Sequence, residues 1–208
     1  QMCIRDRNNV LKTFSIENEP VVELVNNRER EYIFADLPDI GYSTDIDTVM
    51  ASSYQVKKQL QQIVKIEQPI TNTLLYKRIL RIWNLTRVTT RLQVFIDSLL
   101  EDAYKDPLSG DTIIYWENKE KAKECDFYRI NSKRDILDIP ILEVMSAARY
   151  AIEQQISMPI EDLKRLTSQL LGFSRKGNNL DMVTEQTIQL LINKGIFSHA
   201  NGMVSMNN

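Results

Sequence analysis

Two stretches of this sequence carry the same helix–corner–helix pattern, and this repeat constrains the fold more than any other feature. The first stretch covers residues 68–87 and the second covers residues 158–175. The second and third residues of each stretch are proline and isoleucine, at Pro69-Ile70 and Pro159-Ile160. Each ends with a residue that tolerates left-handed backbone, an apolar residue, a hydroxyl residue and an arginine: Asn84-Leu85-Thr86-Arg87 and Gly172-Phe173-Ser174-Arg175.

The chemistry of these residues predicts that one helix ends and another begins at each corner. Asn84 and Gly172 are the residue types that most readily adopt the left-handed conformation that ends a helix. The apolar residue that follows supplies the contact that usually accompanies such an ending. The next residue, Thr86 or Ser174, is a good N-cap for the following helix. Pro69 and Pro159, at the start of the two stretches, are each predicted to end the helix that precedes them.

Apolar spacing predicts three helices in each half of the chain. In the first half they lie near residues 56–64, 71–83 and 87–104, and in the second half near residues 141–152, 160–171 and 180–192. Strands are predicted at 112–116 and 127–130, and Asn201-Gly202 predicts a hairpin. We therefore expect a mainly α fold with short β-hairpins, in two tandem three-helix winged-helix-like units at residues 51–135 and 136–208. A plain helical bundle with an incidental hairpin is the alternative.

The N-terminal fifty residues differ in character from the repeat. Residues 1–7 look like one reading frame of a sequencing-library adapter, which predicts an artefact that also carries Cys3. A genuine N-terminal segment is the alternative. Residues 8–50 contain β-prone stretches at Val21–Val25 and Tyr32–Ala35 among prolines and a glycine. We interpret residues 8–50 as a linker or the edge of a preceding domain.

The charge distribution is compatible with polyanion binding but is only weak evidence for it. Residues 8–50 have three basic and nine acidic residues, whereas residues 51–108 have nine basic and five acidic residues. A local charge of +4 is modest for a nucleic-acid-binding protein. No apolar run reaches the roughly 18–20 residues of a membrane span, and two cysteines make no disulfide framework, which favours a reduced cytoplasmic setting.

The sequence offers little for catalysis. His199 is the only histidine and stands beside the Asn-Gly turn, where a solvated hairpin residue is expected. Cys125 has neighbours typical of an ordinary surface loop, and no glycine-rich phosphate loop occurs. We therefore expect a non-catalytic chain with no metal site and no cofactor.

Basic and polar residues around the two corners suggest a nucleic-acid surface. In helix-turn-helix proteins the third helix enters the groove through its N-terminal residues, and the second helix crosses the backbone. The expected phosphate contacts are Lys77, Arg81, Arg87 and Arg91, and the expected groove-facing residues are Thr89, Thr90 and Gln93. Arg175 and Lys176, followed by Asn178 and Asn179, take the corresponding place in the second unit. Alternatively, Arg87 and Arg175 stabilise their own fold, for example by pairing with Glu67 or by donating hydrogen bonds to the carbonyls at a helix end.

Residues 63–70, 75–78 and 83–87, together with 143–148 and 170–175, resemble a bacterial domain of unknown function. That domain ends large superfamily-I helicase-like proteins, often after a restriction-endonuclease-like domain. The resemblance covers about residues 50–197, and Asn84 stands where glycine is expected. It implies upstream helicase and nuclease domains in a longer parent chain, of which this chain would be a C-terminal fragment, but no mechanism for this part.

These observations lead to two functional hypotheses. The first is a non-catalytic accessory module that binds or positions nucleic acid, with DNA as the partner, in an ATP-dependent helicase or nuclease. The second is a protein-docking module that packs on the parent motor domain or on a partner subunit. Salt dependence separates them, because phosphate contacts weaken steeply with ionic strength.

Overall fold

The structure, a computed structural model, describes residues 27–42, 44–106, 112–130 and 132–207. Its helices are α1 (Ile46–Ala51), α2 (Ser53–Glu67), α3 (Asn72–Ile82), α4 (Thr90–Leu99), α5 (Lys119–Lys123), α6 (Ile141–Glu153), α7 (Ile160–Leu170) and α8 (Asn178–Asn193). Its strands are β1 (Glu29–Glu31), β2 (Ile70–Thr71), β3 (Tyr104–Lys105), β4 (Ile114–Trp116), β5 (Tyr128–Ile130), β6 (Met158–Pro159), β7 (Phe197–Ala200) and β8 (Met203–Met206). The adapter-like residues 1–7 and the predicted strand Val21–Val25 lie outside the described residues.

The same order of elements occurs twice, and the described chain is mainly helical as predicted. The first unit runs α2-β2-α3-α4-β3-β4, and the second runs α6-β6-α7-α8-β7-β8. Each unit has an antiparallel three-stranded sheet, in the orders β2-β4-β3 and β6-β8-β7. The last strand of each unit is therefore central, between the strand before the second helix and the strand after the third.

The two predicted corners are confirmed in their backbone geometry. Asn84 has a φ of 48° and Gly172 a φ of 89°, both in the left-handed region. At the first corner the N–H of Leu85 donates to the carbonyl of Leu80 at 2.9 Å, and at the second the N–H of Phe173 donates to that of Ser168 at 3.0 Å. These bonds pair carbonyls at the end of α3 and α7 that a helix terminus leaves unsatisfied.

The prediction that Thr86 and Ser174 cap the following helices is wrong. Helix α4 begins at Thr90, and the Thr89 hydroxyl accepts from the N–H of Leu92 at 3.2 Å. In the second unit α8 begins at Asn178, with Gly177 as its N-cap. The connection between the two helices is therefore longer than predicted at each corner. At the first corner the N-cap is Thr89, which stands three residues before the N–H of Leu92 that it accepts from.

The first hairpin also differs from the prediction. The strand that precedes β4 and forms the hairpin with it is β3, at Tyr104–Lys105, and the predicted third helix extended to Tyr104. The predicted strand at residues 127–130 contains β5, but β5 pairs in parallel with β1 at Glu29–Glu31, and the β-prone stretch Tyr32–Ala35 is irregular. The second hairpin is confirmed, since Asn201 and Gly202 have φ values of 53° and 75° between β7 and β8.

Three apolar clusters fill the described part of the chain. One lies in the first unit, around Leu60, Leu75 and Ile96, and another in the second unit, around Leu163 and Ile188. The third contains residues from β5, the following connection and the second unit, namely Tyr128, Ile136, Ile139, Val144, Ala147, Leu171 and Leu180. Residues that precede α2 also pack on the first unit, because Ala35 is buried in its cluster and the N–H of Ile40 donates to the carbonyl of Ile82 at 3.0 Å.

A buried polar network joins the first unit to the second. Glu143, at the start of α6, binds the guanidinium groups of Arg129 at 2.5 Å and Arg134 at 2.8 Å. Arg129 also donates to the carbonyl of Glu67, the last residue of α2, at 2.7 Å, and to the carbonyl of Pro69, two residues later, at 2.6 Å. Because all three charged side chains are buried, the carboxylate and the carbonyls compensate charges that would otherwise be costly to bury.

Among the helices described, none combines the length and apolar character that crossing a membrane requires.

Candidate nucleic-acid interface

The region around the first corner is basic, whereas the corresponding region of the second unit is neutral. Residues 72–96 contain five basic residues and no acidic residue. Residues 160–185 contain four basic and four acidic residues. The excess positive charge that could attract a polyanion is therefore concentrated on α3 and α4 of the first unit.

Two of the three basic side chains on α3 are held by the rest of the protein. The ammonium of Lys77 lies 2.6 Å from Asp138, in the connection between the units. The guanidinium of Arg78 lies 2.8 Å from the buried carboxylate of Glu67. Lys77 was predicted as a phosphate contact, but it contributes to the packing of the connection on α3. The sequence did not reveal this role because Asp138 is distant along the chain.

Arg81 remains on the exposed side of α3. Its guanidinium lies 5.5 Å from the ring centroid of Phe34, and that of Arg78 lies 4.0 Å from the same ring. A cation over an aromatic face keeps its hydrogen-bond donors directed elsewhere. Arg81 can therefore still contact a phosphate while Phe34 orients it.

The corner itself presents Arg87 and Arg91. Arg87 is exposed, and no described residue forms an ion pair or hydrogen bond with its guanidinium. Arg91 lies 2.8 Å from Asp47, and both side chains are more than half exposed. Since exposed ion pairs contribute little free energy, a phosphate can replace Asp47 at Arg91.

The predicted groove-facing residues occupy the first turn of α4 but do not have equal freedom. Thr90, the first residue of the helix, is exposed. Gln93 is half-buried, one turn further along. Thr89 uses its hydroxyl to cap the helix, so it maintains the helix start and is not free to read a base. The N-terminus of α4 adds its own partial positive charge to the corner.

In the second unit Arg175 and Lys176 are exposed in the connection between α7 and α8, and no ion pair joins them to a described residue. Their surroundings are acidic. Lys164 is buried and its ammonium binds Glu161, Asp181 and Glu185 at 3.2, 2.7 and 3.2 Å. Three carboxylates on one cation leave local negative charge beside Arg175 and Lys176, which opposes the approach of a polyanion.

Glu67 forms its ion pair with Arg78, not with Arg87 as the alternative proposed. Glu67 is fully buried and accepts from Arg78, from the Tyr32 hydroxyl and from the N–H of Ala35. Burial, together with the charge of Glu67, raises the pKa of Tyr32 to about 12, so the phenol stays protonated and donates. Arg78 thus stabilises the fold of the first unit through Glu67, a role that was not predicted from the sequence.

Arg129, Arg134 and Glu143 form the strongest electrostatic cluster and were also not predicted. Burial opposes the charge on Glu143, but the two guanidinium groups outweigh it and hold the pKa of Glu143 at about 2. A sequence signal exists, because Glu67 and Glu143 stand at helix positions whose neighbours one turn away, Ile63 and Ala147, are buried apolar residues. A carboxylate on an apolar helix face requires a buried cation.

Cys125 and His199 are the two side chains that the sequence analysis considered for catalysis. Cys125 is half-buried, not a free surface residue, and burial with the nearby charge of Glu143 raises its pKa to about 12. Such a thiol is a poor nucleophile at neutral pH. His199 is exposed on β7. Within the ranges that the structure describes, no group of three or more histidine, cysteine or acidic residues is placed to hold a metal ion.

Residues 51–94 match the model of a family described as "Protein of unknown function (DUF3320)". The match covers α2, α3 and the first half of α4, and it includes the basic corner with Arg87 and Arg91. A search among curated proteins found no match. A search among solved structures also found none. The first unit is therefore similar to a domain of unknown function.

Proposed function

We propose that both units are winged-helix-like and that the first binds nucleic acid, with duplex DNA as the ligand, at the corner between α3 and α4. The repeated order of helices and strands supports the fold assignment. In such proteins the second and third helices form the helix-turn-helix, and the hairpin formed by the last two strands is the wing. The corner therefore occupies the position from which these folds contact DNA.

One observation carries this proposal. The corner has the guanidinium of Arg87, which is exposed and has no acceptor among the residues that the structure describes, an exposed and weakly paired one at Arg91, and no acidic residue from 72 to 96. An arginine that stabilises its own fold has a partner, as Arg78, Arg129 and Arg134 do. An exposed guanidinium with five donors and no acceptor from the described part of the chain is suited to a phosphate.

Each corner residue has a distinct role in this proposal. Arg81, Arg87 and Arg91 contact phosphates, and Thr90 and Gln93 face the groove from the first turn of α4. Thr89 contributes through the helix cap, and Lys77 contributes through Asp138 to the placement of the corner. Arg175 and Lys176 make an auxiliary contact, weakened by the carboxylates around Lys164.

The biological setting is proposed from the resemblance described above. The chain acts as a non-catalytic accessory module of an ATP-dependent helicase or nuclease in the cytoplasm. Upstream domains of the same parent chain supply the motor, and this module positions the nucleic acid for them.

Fluorescence anisotropy with labelled duplex and single-stranded DNA at low salt tests the proposal on the full chain. We expect micromolar binding of the duplex, weakened at least about tenfold in Arg87→Ala/Arg91→Ala, because two charge-assisted contacts are lost. The matched control is Lys119→Ala/Lys123→Ala, which removes the same charge from exposed positions around α5. Equal losses in the two double variants, or no binding of wild type, would contradict the proposal.

A protein-docking role is the second candidate, and the second unit favours it. Residues 160–185 have four basic and four acidic residues, so the second unit has no excess positive charge that would attract a polyanion. Absence of DNA binding even at low salt would favour this role for the whole chain.

A further inference from the structure

The exposed face of α4 carries an apolar residue that was not among the predicted contacts. Leu92 and Ile96 are buried in the core of the first unit, whereas Val94, between them, is 64% exposed. Thr90, one helical turn before Val94, is also exposed, so these two side chains lie on the same outward face of the helix. Val94 is therefore part of the surface that α4 turns away from the core.

The third helix of the second unit has the same arrangement. Counted from their first residues, Thr90 and Asn178, both helices bury the third residue and expose the fifth. The fifth residue is Val94 in α4 and Met182, which is 45% exposed, in α8. The repeat thus places a large apolar side chain at the same outward position in both units.

The charges around these two positions differ, and the difference indicates the kind of partner. Arg91 lies one helical turn before Val94, and residues 72–96 contain no acidic residue. Met182 directly follows Asp181 and stands three residues before Glu185. Because positive charge attracts a polyanion and negative charge repels it, charge complementarity selects α4, not α8, as the helix that faces DNA.

The first acidic residue after Val94 is engaged within the protein. The carboxylate of Asp97 accepts hydrogen bonds from the hydroxyls of Tyr76 at 2.8 Å and Tyr115 at 3.1 Å. These two donors come from α3 and β4 and compensate the charge of Asp97. The outward face at Val94 therefore combines an apolar side chain with the positive charge of the corner.

We propose that Val94 contacts the C5 methyl group of thymine, so that the corner between α3 and α4 prefers A·T pairs in the major groove. This inference rests on the proposed function, because it takes duplex DNA as the ligand. The thymine methyl is an apolar group on the major-groove edge of the base pair, and apolar side chains contact it. Gln93, next to Val94, has the side-chain amide that pairs with N6 and N7 of adenine. Two neighbouring side chains thus match the two bases of one pair.

Fluorescence anisotropy with two labelled duplexes tests this contact on the full chain. One duplex has A·T pairs only, and in the other deoxyuridine replaces every thymidine, which removes the methyl groups and keeps the phosphates. We expect wild type to bind the thymidine duplex about fourfold more tightly, the effect of burying one small apolar group. Val94→Ala should bind both duplexes with equal affinity. The preference of wild type should persist as salt is raised, because a methyl contact, unlike a phosphate contact, releases no counterions.

Met182→Ala is the matched control, because it shortens the apolar side chain at the corresponding position of α8. It should keep the preference of wild type. Equal affinities of wild type for the two duplexes overturn the thymine contact and leave the phosphate contacts of the proposed function standing. A preference that survives in Val94→Ala, or that Met182→Ala also removes, overturns the role of Val94. If wild type binds neither duplex, the proposed function fails and this inference fails with it.

Discussion

Asn84 and Gly172 occupy the same left-handed position at the two corners, and Gly172 offers a clean test of that geometry. Its φ is 89°, and a Cβ built there meets no atom within 4 Å. The cost of Gly172→Ala therefore arises from the backbone alone. We expect the free energy of unfolding to fall by about 1 kcal/mol, measured by urea denaturation.

Gly177, five residues further on, provides the comparison. Its φ of −161° is extended backbone, and a Cβ there also meets nothing within 4 Å. Gly177→Ala should change the free energy of unfolding by no more than about 0.5 kcal/mol, because the lower entropy of the unfolded chain offsets a poorer N-cap. Equal destabilisation by the two substitutions would remove the corner geometry as the cause.

The residues that the sequence identified correctly are those whose roles depend on near neighbours. Asn84 and Gly172 end helices through bonds to carbonyls within five residues, so local chemistry predicts them. The ion pair between Lys77 and Asp138 was not predicted, because Asp138 comes close to Lys77 only in the folded chain. Arg129 and Arg134 escaped notice for the same reason, since folding brings them together around Glu143.

At the scale of elements, the helices of both units were predicted at the right places, and only the third helix of the first unit was predicted with the wrong length. The predicted helix at 160–171 and the observed Ile160–Leu170 agree, because a strong apolar period defines them. Helix α4 was predicted as residues 87–104 but covers Thr90–Leu99. Apolar residues continue beyond its end, at Leu100 and Ala103, and pack on the same core, so periodicity alone did not show where the helix stops.

Short strands were the hardest elements to predict. Strands β2, β3 and β6 have two residues each, which is too few for an alternating pattern. Their positions depend on pairing with β4 and β8, and β5 depends on β1, almost a hundred residues earlier. The order of helices was therefore readable from sequence, whereas the sheets required the tertiary structure.

For the whole molecule, the cluster of Glu143, Arg129 and Arg134 is the main polar link between the units. Glu143→Gln keeps the side-chain shape but leaves two buried guanidinium groups without their anion. We expect the free energy of unfolding to fall by about 3–5 kcal/mol in urea denaturation at neutral pH. Glu120→Gln, at an exposed position on α5, should have almost no effect. Similar small changes in both variants would show that the cluster does not stabilise the fold.

The pH dependence of stability provides a second measurement on the same variant. The pKa of Glu143 is about 2 in the folded protein, below its ordinary value of 4.5. Its contribution to stability is therefore complete above pH 4.5 and is lost as the pH falls from 4.5 towards 2. In that window the free energy of unfolding of Glu143→Gln should depend less on pH than that of wild type. Parallel curves would contradict this origin of the pKa shift.

The salt dependence of duplex binding tests whether Arg87 and Arg91 form a phosphate-binding corner. Anisotropy titrations at several salt concentrations between about 50 and 200 mM give the slope of log affinity against log salt. We predict a negative slope for wild type and a slope shallower by about 2 for Arg87→Ala/Arg91→Ala. The variant neutralises two fewer phosphates, so its binding releases fewer counterions from the DNA. A wild-type affinity that does not change with salt, or identical slopes for the two proteins, would contradict the account.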